Sequence, residues 1–414
     1  MKRIIVSAYR CDPYGVSEAY SGFMTALMLA DANEVMLCTP AYNLPSIRSW
    51  ISSNASSSVM QNLHVLGVPV PQTDGEPDSI RWGLKPGFFL FDTLLTSMLR
   101  QSQIVRGASL VWHRTPMSYR YRTSLHRLGI PMIVGPVGGG LRPPAELAEF
   151  FNKERTIYRL RRLDGPLLAS KWWTKPLDRA RFVLITCDYV RQILPQRLHH
   201  KLVTVPETGI EPPQIETPRM HVGTDVTILY VGRLLRYKAP TMAVDAFSRM
   251  LNHCQYRSAR LVIVGDGPER AACETLAHRL GTQDYVHFAG RLPKDQAQAW
   301  YSRADIFLFP SLTEATGNVY LEAMRAGLPL VVCANGGGQD IPPDAAAVKV
   351  PVGPYELMVN RIARSLRELI HDPERRKRMG SAGLRAIVDQ YSWPALSSRL
   401  SGILDAAIEE GPSR

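Results

Sequence analysis

Several features that would define a class of protein are missing from these 414 residues. The six cysteines are scattered, form no C-x-x-C pair and have no clustered histidines, so neither a disulfide framework nor a structural zinc site is expected. No run approaches the roughly 20 apolar residues that a bilayer-spanning helix needs. The apolar stretch after Met1 is too short for a secretory signal. We therefore expect a cytoplasmic protein, either soluble or peripheral at the inner face of the membrane.

Nucleic-acid motifs are missing as well. The sequence has no zinc-finger spacing, no aromatic RNP-type strand and no Lys/Arg tail, so nucleic acid is not an expected partner. No D-x-D motif is present, and no metal requirement is expected. What the chain does have is a net charge of +12 on an ordinary globular composition, with 45% hydrophobic and 21% charged residues. A basic surface suits anionic partners, such as nucleotide phosphates or acidic lipid headgroups.

Short apolar runs alternate with segments of helical period, which predicts βαβ units and parallel sheets. The predicted strands of the first half are Arg3–Ala8, Glu34–Thr39, Leu63–Val68, Leu110–His113, Met132–Gly135, Phe182–Thr186 and Leu202–Val205. Those of the second half are Thr227–Val231, Leu261–Val264, Tyr285–Phe288, Ile306–Phe309 and Leu330–Cys333. Between the halves, the proline-rich and aperiodic residues 211–224 predict a linker.

We therefore predict an α/β protein with two doubly wound, Rossmann-like domains, residues 1–210 and 225–390. A C-terminal helix within 391–414 is expected to pack back on the first domain. Ligands of open α/β sheets bind outside the carboxyl ends of the strands. The two sets of strand ends are accordingly expected to face an interdomain cleft.

The strongest chemical signal follows the predicted strand Ile306–Phe309. Glu314 and Glu322 are separated by seven residues, with Gly317 and Asn318 where a helix should begin. Backbone N–H groups at a helix N-terminus suit a phosphate, and a carboxylate accepts hydrogen bonds from sugar or ribose hydroxyls. The alternative is that Glu314 caps the helix and that Glu322 lies on a solvated face.

Two further segments follow strand ends in the second half. Gly232 and Arg233 precede Lys238, and these two cations could clamp a diphosphate without a metal, although surface cations are the alternative. Gly265 and Gly267 predict a tight turn close to a nucleotide, and Arg270 breaks the dinucleotide glycine fingerprint. Arg236 is interpreted as a surface residue.

These segments, with the glycine-rich run Ala334–Asp340, match in order and spacing the motifs of family 4 glycosyltransferases. The chain closely resembles this family of retaining enzymes of GT-B fold over roughly half its length. The resemblance implies a nucleotide diphosphate sugar as donor and no cofactor. It implies that Arg233 and Lys238 hold the diphosphate, Glu314 the donor sugar and Glu322 the ribose. A glycan or lipid-linked glycan is the implied acceptor, in bacterial surface polysaccharide synthesis.

In the first half, the loop containing Gly15 resembles the glycine loop that the family places beside the donor phosphates. A plain βα turn with Ser17 as N-cap is the alternative. His113 ends a predicted strand where family members often place a histidine near the donor sugar, although a lone histidine is often structural. The run Gly138, Gly139 and Gly140 indicates either acceptor-side contact or tight packing.

The basic and aromatic segment Lys153–Arg181 includes Trp172 and Trp173 and suits an anionic membrane surface. A solvated helix face with both tryptophans packed inside is the alternative. Two other functions remain open, a sugar-nucleotide epimerase of GT-B fold and a non-catalytic nucleotide-binding partner subunit.

Overall fold

The computed structural model describes residues 1–72, 85–152, 163–213, 225–252 and 259–409. Residues 214–224 of the predicted linker, residues 153–162 of the basic segment and Cys254 lie outside the described residues. The chain divides into two compact units. The first contains Met1–Gly140, Ile157–Gly209 and Trp393–Arg414, and the second contains Leu141–Thr156 and Ile210–Ser392.

The first unit is built on a parallel sheet in the order β3-β2-β1-β4-β5-β6-β7. Its strands are β1 Arg3–Ala8, β2 Glu34–Pro40, β3 Leu63–Val68, β4 Leu110–Thr115, β5 Met132–Val137, β6 Phe182–Ile185 and β7 Leu202–Thr204. The helices are Glu18–Ala30, Leu44–Asn54, Ser57–Asn62, Pro86–Gln101, Asp164–Ala169, Lys171–Arg179, Asp188–Ile193 and Trp393–Glu409.

Apolar clusters cover the first sheet on both faces, which explains why its strands are continuous apolar runs. Phe88 and Leu95 belong to one cluster, and Phe23 belongs to the other. Leu396 and Leu400 of the last helix join Phe23, so this helix packs on the first unit. Most of the hydrophobic stabilisation comes from such burial, at about 25 cal/mol per Å² of apolar surface.

The second unit repeats the arrangement in the order β10-β9-β8-β11-β12-β13. Its parallel strands are β8 Thr227–Val231, β9 Arg260–Val264, β10 Val286–Gly290, β11 Ile306–Phe309, β12 Leu330–Cys333 and β13 Ala347–Val350. The helices are Pro240–Asn252, Arg270–Arg279, Lys294–Arg303, Asn318–Arg325, Gly337–Asp340, Tyr355–His371 and Pro373–Ala386. Both units thus have the strand order of a Rossmann fold.

The segment Leu141–Thr156 corrects the expectation that residues 1–210 form one domain. It groups with the second unit, where the Phe150 ring stacks on Tyr355 with centroids 5.7 Å apart. The Arg236 guanidinium lies over the Phe150 ring, 5.1 Å from its centroid. The segment has no strand or long helical period, so its sequence does not say which core takes its apolar side chains. Among the described residues, none of the helices has the length and hydropathy of a membrane-spanning segment.

Candidate active site

In each sheet the strand order reverses beside the first strand, and ligands of open α/β sheets bind at this reversal. In the second unit it lies between β8 and β11, which pair through Ile228 with Ile306 and Leu229 with Phe307. The loops that follow these two strands carry the predicted cations and the first predicted acid. The fold therefore brings together residues that are about 75 positions apart in sequence.

Lys238 and Glu314 form an ion pair at this edge, with Lys238 Nζ 3.0 Å from Glu314 Oε2. Each side chain is only 15% exposed. Burial by itself lowers the pKa of the Lys238 amine, but the charge of Glu314, its hydrogen bond to the amine and the nearby Tyr237 together outweigh burial and raise that pKa above its ordinary value. Lys238 is therefore a cation throughout the physiological pH range.

Backbone hydrogen bonds fix the position of Lys238. Residues Arg236–Lys238 form a single 3-10 turn, and the Lys238 carbonyl accepts a hydrogen bond from the Tyr230 hydroxyl at 3.2 Å. The Tyr237 carbonyl accepts from the Leu312 N–H at 2.8 Å. This second bond ties the loop after β8 to the loop after β11, and so it holds the ion pair in register.

Arg233 lies two residues after the end of β8 and is exposed. Its positive charge acts to lower the pKa of Lys238, more weakly than Glu314 acts to raise it. The two cations are thus close enough to interact, and both lie at the strand ends beside Glu314. Such a group suits a diphosphate, which carries more negative charge than one cation neutralises.

The predicted glycine turn after β9 presses against the loop after β8. Gly265 has a φ of +140°, and a Cβ on it would lie 2.0 Å from the Gly232 carbonyl oxygen. A Cβ on Gly267 would lie 2.7 Å from the Leu234 carbonyl oxygen. Only glycine allows this approach of two backbones. Gly265 and Gly267 thus lie against the backbone of the loop after β8, and these contacts set the distance between the two loops.

Gly317 begins the helix that carries Glu322. It is the N-cap of Asn318–Arg325, with a φ of +53°, and a Cβ there would lie 2.4 Å from Cε2 of Tyr320. Half-buried Asn318 is the first helical residue. Gly317 therefore turns the chain sharply from the Glu314 loop into the helix, as the sequence predicts.

Glu322 is largely buried and is not on a solvated face. Burial raises the pKa of its carboxyl, although the hydrogen bond from Tyr301 and the charges of Lys294, Arg325 and Lys238 act to lower it. The Tyr301 hydroxyl donates to Glu322 Oε2 at 2.7 Å. Lys238 of the ion pair is thus one of the charges that act on the Glu322 carboxyl, although the weakest of the three.

Arg236 is not the surface residue that the sequence analysis expects. Its side chain is 18% exposed and pairs with Glu269, with Arg236 Nε 3.2 Å from Glu269 Oε2. Its guanidinium covers the Phe150 ring. The pairing depends on a glutamate 33 residues later and on the segment around Phe150, and neither has a local sequence signal.

In the first unit the strand order reverses between β1 and β4, and His113 on β4 lies beside Ser7 of β1. The imidazole is 2% exposed, and its ring centroid lies 5.6 Å from that of Phe88. Burial lowers the pKa of His113 to about 4, against a smaller opposite effect of Glu18. Neither ring nitrogen finds a hydrogen-bond partner within the described part of the chain. A buried and unpaired imidazole of this kind is costly, and a ligand hydroxyl would satisfy it.

Glu18, in the first turn of the helix Glu18–Ala30, is a charged centre of the first unit that the motifs of the sequence do not reveal. Glu18 Oε1 accepts a hydrogen bond from the Met117 N–H, while Oε2 lies 3.2 Å from Lys85 Nζ and 3.6 Å from Arg10 Nε. Burial raises the pKa of Glu18, but these partners together lower it below its ordinary value. The carboxylate therefore stays charged beside neutral His113.

The loop after β1 does not form the simple capped turn given as the alternative. Ser17 has a φ of +49° and makes no capping bond; its hydroxyl donates to Glu207 Oε1 at 2.9 Å. The Gly15 N–H donates to the Asp12 carbonyl at 3.1 Å. A Cβ on Gly15 would lie 3.0 Å from the Ala19 Cβ, so the loop is tight at this point.

The glycine run after β5 contacts protein atoms at two of its three positions. The Gly138 N–H donates to the Met117 carbonyl at 3.0 Å. A Cβ on Gly140 would lie 2.7 Å from the Tyr119 hydroxyl, whereas one on Gly139 would meet nothing within 4 Å. Packing thus accounts for Gly138 and Gly140, and Gly139 has open space beside it.

Residues 215–385 match the family model "Glycosyl transferases group 1". The matched segment, termed the group 1 domain here, is less than half of the chain. It lies within the second unit and contains the ion pair, both acids and the glycine turn. A GDP-mannose-dependent alpha-(1-6)-phosphatidylinositol monomannoside mannosyltransferase of Mycobacterium tuberculosis is 32% identical over 193 residues, which cover 45% of this chain and 49% of that protein. The chain thus spans about half the length of the curated relatives it matches.

Solved structures show that the likeness of fold extends beyond the group 1 domain. The sucrose-phosphate synthase of Thermosynechococcus elongatus aligns over 98% of both chains, with a TM-score of 0.65 and 18% identity. Anabaena HepE, solved in complex with UDP and glucose, aligns over 98% of this chain and 100% of its own, with a TM-score of 0.59 and 12% identity. The fold class is therefore GT-B, with two Rossmann-like domains.

The second unit presents cations and carboxylates at one strand-order reversal, a combination of groups suited to an anion and to hydroxyl groups. Arg233 and Lys238 offer positive charge, and Glu314 and Glu322 offer acceptor oxygens. Within the described residues, no three His, Cys, Asp or Glu side chains are grouped as metal ligands would be. The two cations can stabilise negative charge on a bound anion, and the two carboxylates can accept hydrogen bonds from hydroxyl groups.

Proposed function

We propose that this protein is a retaining family 4 glycosyltransferase. It transfers a hexose from a nucleotide diphosphate sugar to a hydroxyl of a glycan or lipid-linked glycan acceptor. The observation that carries the proposal is the half-buried Lys238–Glu314 pair at the strand-order reversal of a group 1 domain, with Arg233 beside it. The proposed context is bacterial surface polysaccharide synthesis at the cytoplasmic face of the membrane.

The ion pair suggests how the site accepts its donor. Without a ligand, Glu314 neutralises Lys238. The diphosphate of a donor would take over the ammonium, and Glu314 would then accept a hydrogen bond from a sugar hydroxyl. This exchange avoids leaving either charge buried and unpaired, which is the costly state. Arg233, exposed beside Lys238, supplies the second positive charge.

In the reaction, the bond between the anomeric carbon and the β-phosphate oxygen breaks, and the acceptor oxygen bonds to that carbon on the same face. The acceptor proton passes to the departing phosphate oxygen, giving the nucleoside diphosphate. Lys238 and Arg233 stabilise the negative charge that develops on this phosphate. Neutral His113 forms a hydrogen bond with a hydroxyl of the donor sugar. Because its pKa of about 4 keeps the imidazole uncharged at neutral pH, His113 does not act as a general acid.

We assign the remaining predicted site residues roles in shaping the backbone around the ligands. Gly232, Gly265, Gly267, Gly317 and Asn318 shape the donor-binding loops, and the glycine turn keeps those loops close. Gly15 does the same for the loop after β1. Gly139, with open space beside it, is the member of the 138–140 run that we assign to the acceptor side.

A donor panel tests the proposal. The purified chain is incubated with UDP-, GDP- and ADP-hexoses and a lipid-linked glycan fraction, and nucleoside diphosphate release and product anomers are followed by NMR. We expect acceptor-dependent release from one donor, with the anomeric configuration kept and with no loss in EDTA. An inverted anomer or loss in EDTA would contradict the mechanism. An isomerised donor formed without acceptor would favour the epimerase, and binding without turnover would favour a non-catalytic subunit.

We also propose that the helix Lys171–Arg179 contacts an acidic lipid surface. Trp172 is 62% exposed, and the Arg122 guanidinium lies 4.2 Å from its ring centroid. Lys171 and Lys175 are exposed beside it. Trp173, in contrast, is half-buried and donates from Nε1 to the Tyr119 carbonyl at 3.1 Å. An exposed tryptophan among cations is typical of a residue at headgroup level.

Vesicle flotation tests the lipid contact. The full chain should float with phosphatidylglycerol vesicles at low salt, and should float less as salt screens the charges. Trp172→Ala should float less than the parent, whereas Trp300→Ala should not differ, because Trp300 is a half-buried ring near Arg303 on the second unit. No flotation at low salt, or equal flotation of Trp172→Ala and the parent, would remove the proposal.

A further inference from the structure

Tyr301 is a buried tyrosine of the second unit that no motif of the sequence analysis includes. It lies on the helix Lys294–Arg303, is 3% exposed, and packs on Phe307 of β11 with ring centroids 5.7 Å apart. Burial, with the nearby negative charge of Glu322, raises the pKa of Tyr301 well above its ordinary value. The phenol therefore keeps its proton and remains a hydrogen-bond donor.

The acceptor of that proton is one oxygen of Glu322. The Tyr301 hydroxyl donates to Glu322 Oε2 at 2.7 Å. Among the described residues, no hydrogen bond is made to the other oxygen, Oε1. A carboxylate held through one oxygen keeps a single orientation and presents the other oxygen to a ligand.

We propose that Tyr301 is a positioning residue for the nucleotide ribose, because it fixes Glu322 so that Oε1 accepts a hydrogen bond from a ribose hydroxyl. The inference rests on the proposed function, which gives Glu322 the ribose. It adds that the preference of the site for ribose depends on the helix Lys294–Arg303, which carries none of the predicted site residues.

Loss of the Tyr301 hydroxyl has a specific consequence for binding. Without this donor the Glu322 carboxylate is free to rotate, and it loses one of the interactions that keep it charged within a buried site. A ribose hydroxyl would then meet a less well placed and less fully charged acceptor. The site should bind ribonucleotides more weakly, and deoxyribonucleotides should hardly be affected.

The experiment compares ribonucleotides with deoxyribonucleotides. UDP, GDP and ADP, with their 2′-deoxy and 3′-deoxy counterparts, are titrated by calorimetry into the parent chain and Tyr301→Phe. For the nucleotide that binds, removal of the ribose hydroxyl held by Glu322 should weaken parent binding by about tenfold or more, as expected for a hydrogen bond to a charged group. In Tyr301→Phe the same removal should weaken binding by about threefold or less.

Two controls separate positioning from general damage. Tyr285→Phe removes a hydroxyl from a half-buried tyrosine of the same unit and should leave the discrimination unchanged. Glu322→Gln combined with Tyr301→Phe should discriminate no less than Glu322→Gln alone, since Tyr301 acts through Glu322. This pair also provides the test if Tyr301→Phe proves difficult to fold.

The outcomes are distinct. Equal ribose discrimination by the parent and Tyr301→Phe, or equal weakening of ribo- and deoxyribonucleotides, would overturn the inference and leave the proposed function in place. Failure of the parent to bind any nucleoside diphosphate would overturn the proposed function, and this inference with it.

Discussion

Replacing Lys238 with methionine tests the phosphate-binding role of the ion pair while keeping much of the side-chain volume. At 3.0 Å the attraction between Lys238 and Glu314 is about 5.5 kcal/mol for an effective dielectric of about 20, before desolvation is subtracted. Removing one partner of a buried pair costs about 3–5 kcal/mol. Because each side chain keeps 15% of its exposure, we expect a loss of about 2–4 kcal/mol in the stability of the second unit.

The expected loss of activity is larger than this stability change explains. Removing one preorganised donor from a developing negative charge lowers the rate by about 10²–10³-fold. The kcat for transfer by Lys238→Met should fall by that factor under conditions where circular dichroism shows the variant folded. The assay is nucleoside diphosphate release at saturating donor and acceptor.

Lys349 supplies the matched control. Its side chain is also 15% exposed and is also paired, with Nζ 2.6 Å from Asp344 Oδ1, but it lies on β13. Lys349→Met should transfer sugar at the parent rate. The double variant Lys238→Met with Glu314→Gln should be more stable than Lys238→Met, because no orphaned carboxylate remains, yet it should stay inactive. Transfer by folded Lys238→Met within threefold of the parent would refute the assigned role.

Two further changes test other parts of the structure. His113 has a folded-state pKa of about 4 against about 6.5 when unfolded, so the unfolded chain binds the additional proton between these values. Its contribution is fully present above pH 6.5, and stability should fall by about 3 kcal/mol as the pH drops towards 4. His113→Asn should flatten this part of the unfolding-versus-pH curve, and an unchanged slope would contradict a neutral buried His113. Gly265→Ala should destabilise the second unit by roughly 2–4 kcal/mol and weaken nucleotide binding, because its Cβ would meet the Gly232 carbonyl at 2.0 Å. Gly281→Ala, at a φ of +69° with open space around it, should lose only about 1–2 kcal/mol, and equal thermal shifts for the two variants would contradict the backbone contact.

The fold was largely predictable because parallel strands that are buried on both faces have continuous apolar runs in the sequence. Ile306–Phe309 and Leu330–Cys333 have the bounds that their apolar runs predict. The four-residue edge strand Ala347–Val350 was missed, since an edge strand is half covered and lacks a continuous apolar run. The placement of Leu141–Thr156 was also missed, because the choice between two cores depends on tertiary packing.

The candidate site, too, was predictable from the sequence only in part. Glu314 and Glu322 can be predicted from their spacing after a strand, and Lys238 can be predicted from its distance from a strand end. Tyr301 and Glu18 cannot be predicted in this way, because the contacts of each are with a residue on another element. An isolated tyrosine on a helix, or a glutamate in a first turn, has many ordinary explanations, and only the tertiary fold selects among them.

The central claim is that cations at the strand ends of the second unit bind the β-phosphate of a nucleotide sugar. Calorimetric titration of the parent with UDP, GDP and ADP, each alongside its monophosphate, tests it most directly. We predict that one diphosphate binds at least about tenfold more tightly than its monophosphate, as one charge-assisted contact requires. Equal binding of every diphosphate and its monophosphate, or no binding at all, would contradict the account.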